Sequence, residues 1–368
     1  MRTLLVMAYS ILFASSALLA SSPSQAAEAQ SLRIYWIDTE GGAATLIVTP
    51  AGESILIDTG NPGLRDAERI AKLATREAGL KRIDHLITTH YHTDHFGGAA
   101  TLSKMITIGH VHDNGKFEGM PDQPHQEYWD FQCDERSVLN PGQEVQLKQV
   151  ADSQPVKLLC LATRKSYVDP AAVGAQDNRE IGQTHRPKDR DGSDNANSVV
   201  MLLSFGEFRF FDAGDLTWNQ EALLVNPFDL IGRVDVYQVT HHGLDASNNP
   251  VVLKTVQPTV AVMNNGHTKG CAPDVVADLK ETGSIKAIYQ VHKNLRADGE
   301  MINAPDAFIA NHAAADQCEG HPIHLRVAAD AKSYTLEVPS SGHMATYQTV
   351  AKPARKPAAK AAAKPADK

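Results

Sequence analysis

The sequence predicts a layered α/β domain, and three observations carry that reading. Short apolar runs of strand length dominate the chain, helical stretches separate them at intervals, and no repeat period is present. Residues 32–37 and 43–49 are β-rich runs around the turn Glu40-Gly41-Gly42, and Pro50-Ala51-Gly52-Glu53 leads into Ser54-Ile55-Leu56-Ile57-Asp58. This is a meander of strands ending at Asp58. Leu64, Ala67, Ile70, Ala71 and Ala74 recur at helical spacing and predict a helix over 64–78, closed by Gly79. A strand over 83–88 then delivers the chain to a polar loop, 90–98. Further strands are expected at 156–161, 198–203, 208–211, 234–240 and 259–263, with helices at 219–224 and 273–281. The stretches 112–140 and 164–196 are irregular and read as long surface insertions, where lids and substrate contacts often reside.

The ends of the chain differ from its middle. Met1-Arg2-Thr3 precedes an apolar run, 4–20, and a small-residue segment, 21–29, which is the order of a secretory signal peptide. A membrane anchor is the competing reading, but Tyr9 and several serines interrupt the run. No other segment has the roughly twenty consecutive apolar residues that a membrane span requires. The expectation is an exported protein, periplasmic or secreted, with no integral membrane segment after cleavage.

Residues 30–350 are then enough for one large domain with a sizeable core, and no linker divides them. The segment 351–368 is a Lys/Ala/Pro-rich basic tail, expected to be disordered. It holds six basic residues and one acid, a net +5, so the formal charge of −8 leaves −13 on the rest. Such a tail is either solvated without a partner or in electrostatic contact with an anionic surface or polymer, nucleic acid included. No protein partner is implied. The four cysteines, Cys133, Cys160, Cys271 and Cys318, are too few for a disulfide-stapled miniprotein, and one or two bridges stay open.

The decisive segment is Thr89-His90-Tyr91-His92-Thr93-Asp94-His95-Phe96-Gly97-Gly98. In an extended backbone, residues two apart face the same way, so His90, His92 and Asp94 converge as the strand ends. A tight turn at Gly97-Gly98 would bring His95 back toward the same cavity. Imidazole nitrogen and carboxylate oxygen are ligands for zinc and similar divalent ions, and four of them in six positions make a metal site. Other candidates stand at the ends of other apolar runs: Asp58, Asp215, His241, His242 and His267. Each alone would be an ordinary turn residue or surface histidine.

These residues resemble a known family. His90-Tyr91-His92-Thr93-Asp94-His95 matches the HxHxDH signature of metallo-β-lactamase-fold hydrolases, and Asp58-Thr59-Gly60 resembles the Asp-containing turn that precedes it there. Ala213-Gly214-Asp215 resembles the later Gly-Asp motif. His241-His242-Gly243, with Asn197-Ser198-Val199-Val200 upstream and Asn265-Gly266-His267 downstream, is similar to the extracellular hydrolase domain of ComEC-type DNA-uptake proteins. The resemblance extends from about residue 32 to about residue 291.

It implies an αββα four-layer sandwich with a site for two divalent ions, usually zinc. His90 and His92 would bind the first ion, Asp94 and His95 the second, and Asp215 would bridge both. His241, ahead of its neighbour His242, would complete the ligand set of the second ion. Many family members use a further histidine for the first ion. Its counterpart here is unassigned among His185, His112 and His125, so single-ion occupancy stays open.

Two close divalent ions bring the pKa of a shared water toward neutrality and stabilise charge developing on the substrate. Asp94 would also orient the nucleophile, and Asp58 would fix a ligand histidine. His267 would contact an anionic substrate or protonate a leaving group.

The leading expectation is therefore hydrolysis of a phosphoric ester, preferably a phosphodiester of nucleic acid or a cell-envelope polymer. The charge of −13 outside the tail opposes a long polyanion. The alternatives are a lactonase or β-lactamase-like amide or ester hydrolase and, from another class, a non-catalytic metal-containing envelope binding protein. A structural zinc is normally closed by four ligands and needs no second ion, which disfavours the last.

Overall fold

The computed structural model describes residues 30–314 and 317–352. The expected signal peptide, and the tail beyond Lys352, lie outside the described residues.

The first strands are β1 (Leu32–Trp36), β2 (Thr45–Val48), β3 (Ser54–Ile57), β4 (Arg82–Ile87), β5 (Thr107–Asp113), β6 (Cys133–Val138), β7 (Glu144–Val145), β8 (Val156–Thr163), β9 (Ser166–Tyr167) and β10 (Gln176–Asp177). They are followed by β11 (Val200–Phe205), β12 (Phe208–Asp212), β13 (Phe228–Asp229), β14 (Val236–Gln238), β15 (Val260–Met263), β16 (Ala287–His292), β17 (Ile309–Asn311), β18 (Ile323–Val327), β19 (Ser333–Val338) and β20 (His343–Gln348). Two nine-stranded sheets result, one ordered β20-β19-β18-β1-β2-β3-β4-β5-β6 and the other β17-β16-β15-β14-β12-β11-β8-β7 with β9 also paired to β8, and β10 and β13 form a separate ribbon.

Side-chain alternation along the strands builds the layers. In β1, Leu32, Ile34 and Trp36 enter the core between the sheets, where Trp36 meets Phe210 edge to face with ring centroids 5.8 Å apart. Tyr35, Leu46, Val48 and Leu56 face the other way, against Ala67 and Ile70 of α1 (Arg65–Lys72). The second sheet behaves alike: Val236, Val260 and Val262 point inward, whereas Tyr237, Ala261 and Met263 pack outward. Their outer partners include Val252 of α6 (Pro250–Val256) and Val276 and Leu279 of α7 (Pro273–Glu281). The remaining labelled helices are α2 (Thr93–Phe96), α3 (Ala99–Leu102), α4 (Gln126–Asp130) and α5 (Trp218–Leu223). Sheets buried on both faces need near-continuous apolar strands, and the four layers are the αββα sandwich.

Several expectations need correction. The stretch 112–140 is not a surface insertion throughout: β5 enters it, α4 packs Tyr128 beneath it, and β6 pairs parallel with β5 as the sheet edge. The helix expected over 64–78 divides into α1 and a π-helical turn, Leu73–Glu77. Residues 250–256, unassigned from the sequence, form α6: Pro250 occupies the first turn and the Asn249 side chain accepts from the Val251 amide at 3.1 Å. The last three strands come from beyond the resemblance, and β18 closes the first sheet by pairing antiparallel with β1. All four cysteines are free. No helix among the described residues is long and apolar enough to cross a membrane.

The body of the protein holds the first basic residue of the tail. Lys352 forms an ion pair with Asp235, whose carboxylate also accepts from the amides of Arg209 and Val350, both at 2.8 Å.

Glu221 of α5 is buried beneath the start of α6. One carboxyl oxygen accepts from the Asn249 amide at 2.8 Å and the other has no hydrogen-bond partner. Burial dominates over that bond and raises the carboxyl from 4.5 to about 7. A raised carboxyl pKa means that the folded state holds the proton longer than the unfolded state. Its contribution is complete below about 4.5 and is lost as pH rises through about 7. Urea unfolding at pH 5 and pH 8 should therefore show a smaller loss of stability in Glu221→Gln than in wild type, by about 2 kcal/mol.

Candidate metal centre

The centre forms where parallel strands of both sheets end, the position at which open α/β sheets expose their loops. His90 and His92 follow β4, Asp58 follows β3, Asp215 follows β12, and His241 and His242 follow β14. Asp94 and His95 stand on α2 and not on an extended run, so they form a pair separate from His90 and His92.

The glycines act differently from expectation. Gly97 and Gly98 have ordinary right-handed helical φ/ψ angles and make no tight turn. They let the backbone of 58–62 approach closely: a Cβ on Gly97 would lie 2.5 Å from the Pro62 nitrogen, and one on Gly98 would lie 2.2 Å from the Thr59 carbonyl oxygen. That approach allows the Thr59 amide to donate to the His95 carbonyl at 2.6 Å.

Two donor sets result. Asp94, His95, Asp215 and His242 bring ligand atoms within 4.8 Å of one another, as do His90, His92 and Asp215. Asp215 belongs to both. Its Oδ2 lies 3.1 Å from His95 Nε2, 3.3 Å from His242 Nε2, 3.5 Å from His241 Nε2 and 3.9 Å from His90 Nε2. One buried carboxylate oxygen is thus surrounded by four imidazoles.

Surrounding groups fix the rings. Asp58 Oδ2 lies 2.7 Å from His95 Nδ1, and the Thr89 hydroxyl and amide donate to the same carboxylate at 2.7 and 2.8 Å. His242 Nδ1 donates to the Asn264 carbonyl at 2.9 Å, which turns Nε2 inward. His90 Nε2 is buried without a hydrogen-bond partner.

Burial alone would raise Asp215 and Asp94. The imidazoles of His242 and His95 outweigh it at Asp215, and His95 and His242 outweigh it at Asp94, so both stay well below the usual carboxylate range. Burial works against protonated His95, but Asp215, Asp58 and Asp94 reverse the sign and raise it well above its ordinary value. His90 is driven down by burial and by neighbouring His95.

His241 and His242 occupy different places. Both have positive φ, 54° and 56°, a conformation that costs a non-glycine residue about 1–3 kcal/mol and is concentrated at functional sites. His242 joins the set with Asp94 and His95, although His241 was the preferred ligand. His241 is held by Ser247 at 3.2 Å and Asn195 at 3.3 Å. The carbonyl-fixed His242 ring explains the difference. His267 joins neither set; its Nδ1 faces Glu40 Oε2 at 3.4 Å. His185 pairs with Asn249 at 2.9 Å, and His112 stacks on His110, so neither completes the His90–His92 set. His125 precedes α4 and is absent from both sets.

Sequence reasoning missed Lys269, whose ammonium lies 2.5 Å from Asp94 Oδ2. It also missed Asp122, 3.3 Å from His92 Nε2, and Asp194, which accepts from the Tyr91 amide at 2.7 Å. The signal for Lys269 was its place two residues beyond His267, after β15; nothing in the sequence marked the two aspartates.

Histidine and aspartate donors gathered at the strand ends of an αββα sandwich define a metal-binding protein of the metallo-β-lactamase fold. Residues 37–152 match the family model described as the Metallo-beta-lactamase superfamily, and the chain carries a domain of that superfamily, related to ComEC-type competence proteins. It is 26% identical over 233 residues to Recombination protein 2 of Haemophilus influenzae, covering 62% of this chain and 24% of that protein. It is 23% identical over 230 residues to Competence protein ComA of Neisseria gonorrhoeae, covering 62% and 26%. A UPF0173 metal-dependent hydrolase of Koribacter versatilis is 36% identical over 78 residues, 20% of this chain and 28% of that protein. The matches to the two competence and recombination proteins thus span about a quarter of their length.

Two substitutions test the ring supports. Asp58→Asn should weaken metal affinity by about 10–100-fold, read by chelator competition, because it loosens the His95 ring without removing a ligand. His242→Ala should lower bound metal, measured by elemental analysis, more than His241→Ala does.

Proposed function

We propose that the chain is an exported metal-dependent hydrolase of phosphoric esters, with a phosphodiester preferred. The observation that carries this reading is the Asp215 carboxylate, shared by two sets of histidine and aspartate donors. Those sets would suit two divalent ions of the zinc type: His90, His92 and Asp215 would hold one, and Asp94, His95, His242 and Asp215 the other. The unpartnered, buried His90 Nε2 and the inward-turned His242 Nε2 fit that use. When bound, the ions would supply Lewis acidity and a water-derived nucleophile near neutral pH.

The chain's own residues perform the positioning. Asp58 and Thr89 orient His95, while the Asn264 carbonyl orients His242. Asp94, partly exposed where Asp215 is buried, would accept a hydrogen bond from the attacking water and orient it. Lys269, beside Asp94 and 37% exposed at its side chain, is the positive group that an anionic substrate would meet. His267, also partly exposed, is retained as a residue acting on the leaving group.

The competence and recombination roles named for the relatives support nucleic acid as the substrate, and the basic tail supports an anionic polymer. The order of residues 1–29 supports export.

Turnover of bis(p-nitrophenyl) phosphate and of a chromogenic β-lactam should be measured with metal content, for wild type and Asp94→Ala. Expected are phosphodiester turnover in wild type, a loss exceeding about 100-fold in the variant, and less bound metal per chain. Turnover of the lactam alone would replace the phosphodiester by a strained amide as substrate. Full phosphodiester turnover in Asp94→Ala would overturn its role.

A further inference from the structure

A second cluster of metal-ligating side chains lies outside the centre, where the turn after β1 meets the end of β16 and the segment before β18. Asp38, Glu40, His292 and Cys318 bring ligand atoms within 4.8 Å of one another. Acids and a histidine alone would read as an ion-pair network, but three features point elsewhere. Glu40 Oε2, His292 Nε2 and His267 Nδ1 are all buried atoms without a hydrogen-bond partner. The His292 residue is 0% exposed, and the Glu40 side chain is 3% exposed. Both imidazole nitrogens lie 3.4 Å from the same Glu40 oxygen. That is long for a charge-assisted hydrogen bond. It is the separation of two ligands each about 2.1 Å from a common ion at the tetrahedral angle.

The surroundings leave those atoms free. Arg69 Nη1 takes the other Glu40 oxygen at 3.2 Å and Asp38 Oδ2 at 3.2 Å, while the Glu40 amide donates to Asp38 Oδ1 at 2.9 Å. Asp38 is therefore already engaged, and its Oδ2 accepts from the Cys318 thiol at 3.0 Å. His292 Nδ1 donates to the Lys293 carbonyl at 2.9 Å, which leaves the bare Nε2 facing Glu40. A ring fixed by a backbone carbonyl is the usual support for a ligand histidine. Glu40 holds its position at a φ of 56°, a strained value for a non-glycine residue.

Charge favours a cation as well. With neutral imidazoles and a protonated thiol, two carboxylates and one guanidinium leave a net −1, and binding a divalent ion with loss of the thiol proton brings the cluster to zero. A mixed carboxylate, imidazole and thiolate set suits zinc-class ions.

We propose that Glu40, His292 and Cys318, with Asp38 beside them, form an additional, mononuclear site for a zinc-class divalent cation. Its position gives it leverage on the main centre. Gly41 packs against Gly266 and Lys269, and Gly42 against the Asp94 carbonyl, so an ion at Glu40 would fix the turn that abuts Lys269 and Asp94. The proposal does not depend on the hydrolase reading or its substrate.

Cobalt(II) distinguishes this site from the main centre, whose two donor sets contain no cysteine. The full chain titrated with cobalt should develop thiolate-to-cobalt charge-transfer absorption in the near ultraviolet, reaching at saturation the amplitude of one thiolate ligand per chain. Cys318→Ala should lose that absorption and one equivalent of metal while keeping the visible d–d bands of the remaining cobalt, and His292→Gln should weaken it. Should His292→Gln fail to fold, Cys318→Ala, which removes a half-buried thiol, decides alone. A wild type without the thiolate band, or a band that survives Cys318→Ala, overturns the proposal.

Discussion

Buried negative charge is the constraint around which the rest is arranged. Asp58, Asp215 and most of Asp94 are removed from water at the meeting of two sheets, where unpaired carboxylates would be very costly. Imidazoles from separate loops supply the compensation, and each must approach within a few ångströms of a chosen oxygen. The glycines at 97 and 98, the left-handed backbone at His241 and His242, and the Asp58–Thr89 bonds all serve that approach. The sandwich supplies a rigid frame, since the central strands of each sheet are covered on both faces and cannot shift without breaking a core. Strain at the histidine pair is tolerated because the surrounding loops and strand ends determine it from several sides.

Much of this was legible in order along the chain. The donor run from His90 to His95 is local, and the first four strands follow from largely apolar runs closed by turn residues. What the sequence concealed was nonlocal or compositionally ambiguous. Thr107-Ile-Gly-His-Val-His-Asp113 mixes histidines with apolar residues and does not announce a strand, yet β5 pairs with β4 along its length. Valine-rich α6 looks like a strand until its proline and asparagine cap are weighed. The choice between His241 and His242 depends on which ring meets the Asn264 carbonyl, and spacing cannot express that. Lys269 meets Asp94 across 175 positions, so no local pattern connects them.

The cluster around Glu40 shows the same limit from another side. Its members come from residues 38, 40, 292 and 318, each unremarkable in its own neighbourhood. The turn bearing Asp38 and Glu40 reads in sequence only as a connection between β1 and β2. In space it is the wall between two groups of ligating atoms, and that explains why a carboxylate there is nearly withdrawn from solvent.

The Lys352–Asp235 ion pair changes where the folded body ends. Composition draws the border at the first lysine of the Lys/Ala/Pro stretch, but electrostatics places that lysine inside, as the counter-ion of a buried carboxylate that also anchors β20's exit through Val350. Asp235 sits at the start of β14, and the metal-facing histidines follow its other end, so the chain leaves the sandwich at the pole opposite the centre. Excising the whole lysine-rich segment would therefore remove a structural counter-charge together with the appendage, and the resulting instability would imitate a loss of binding.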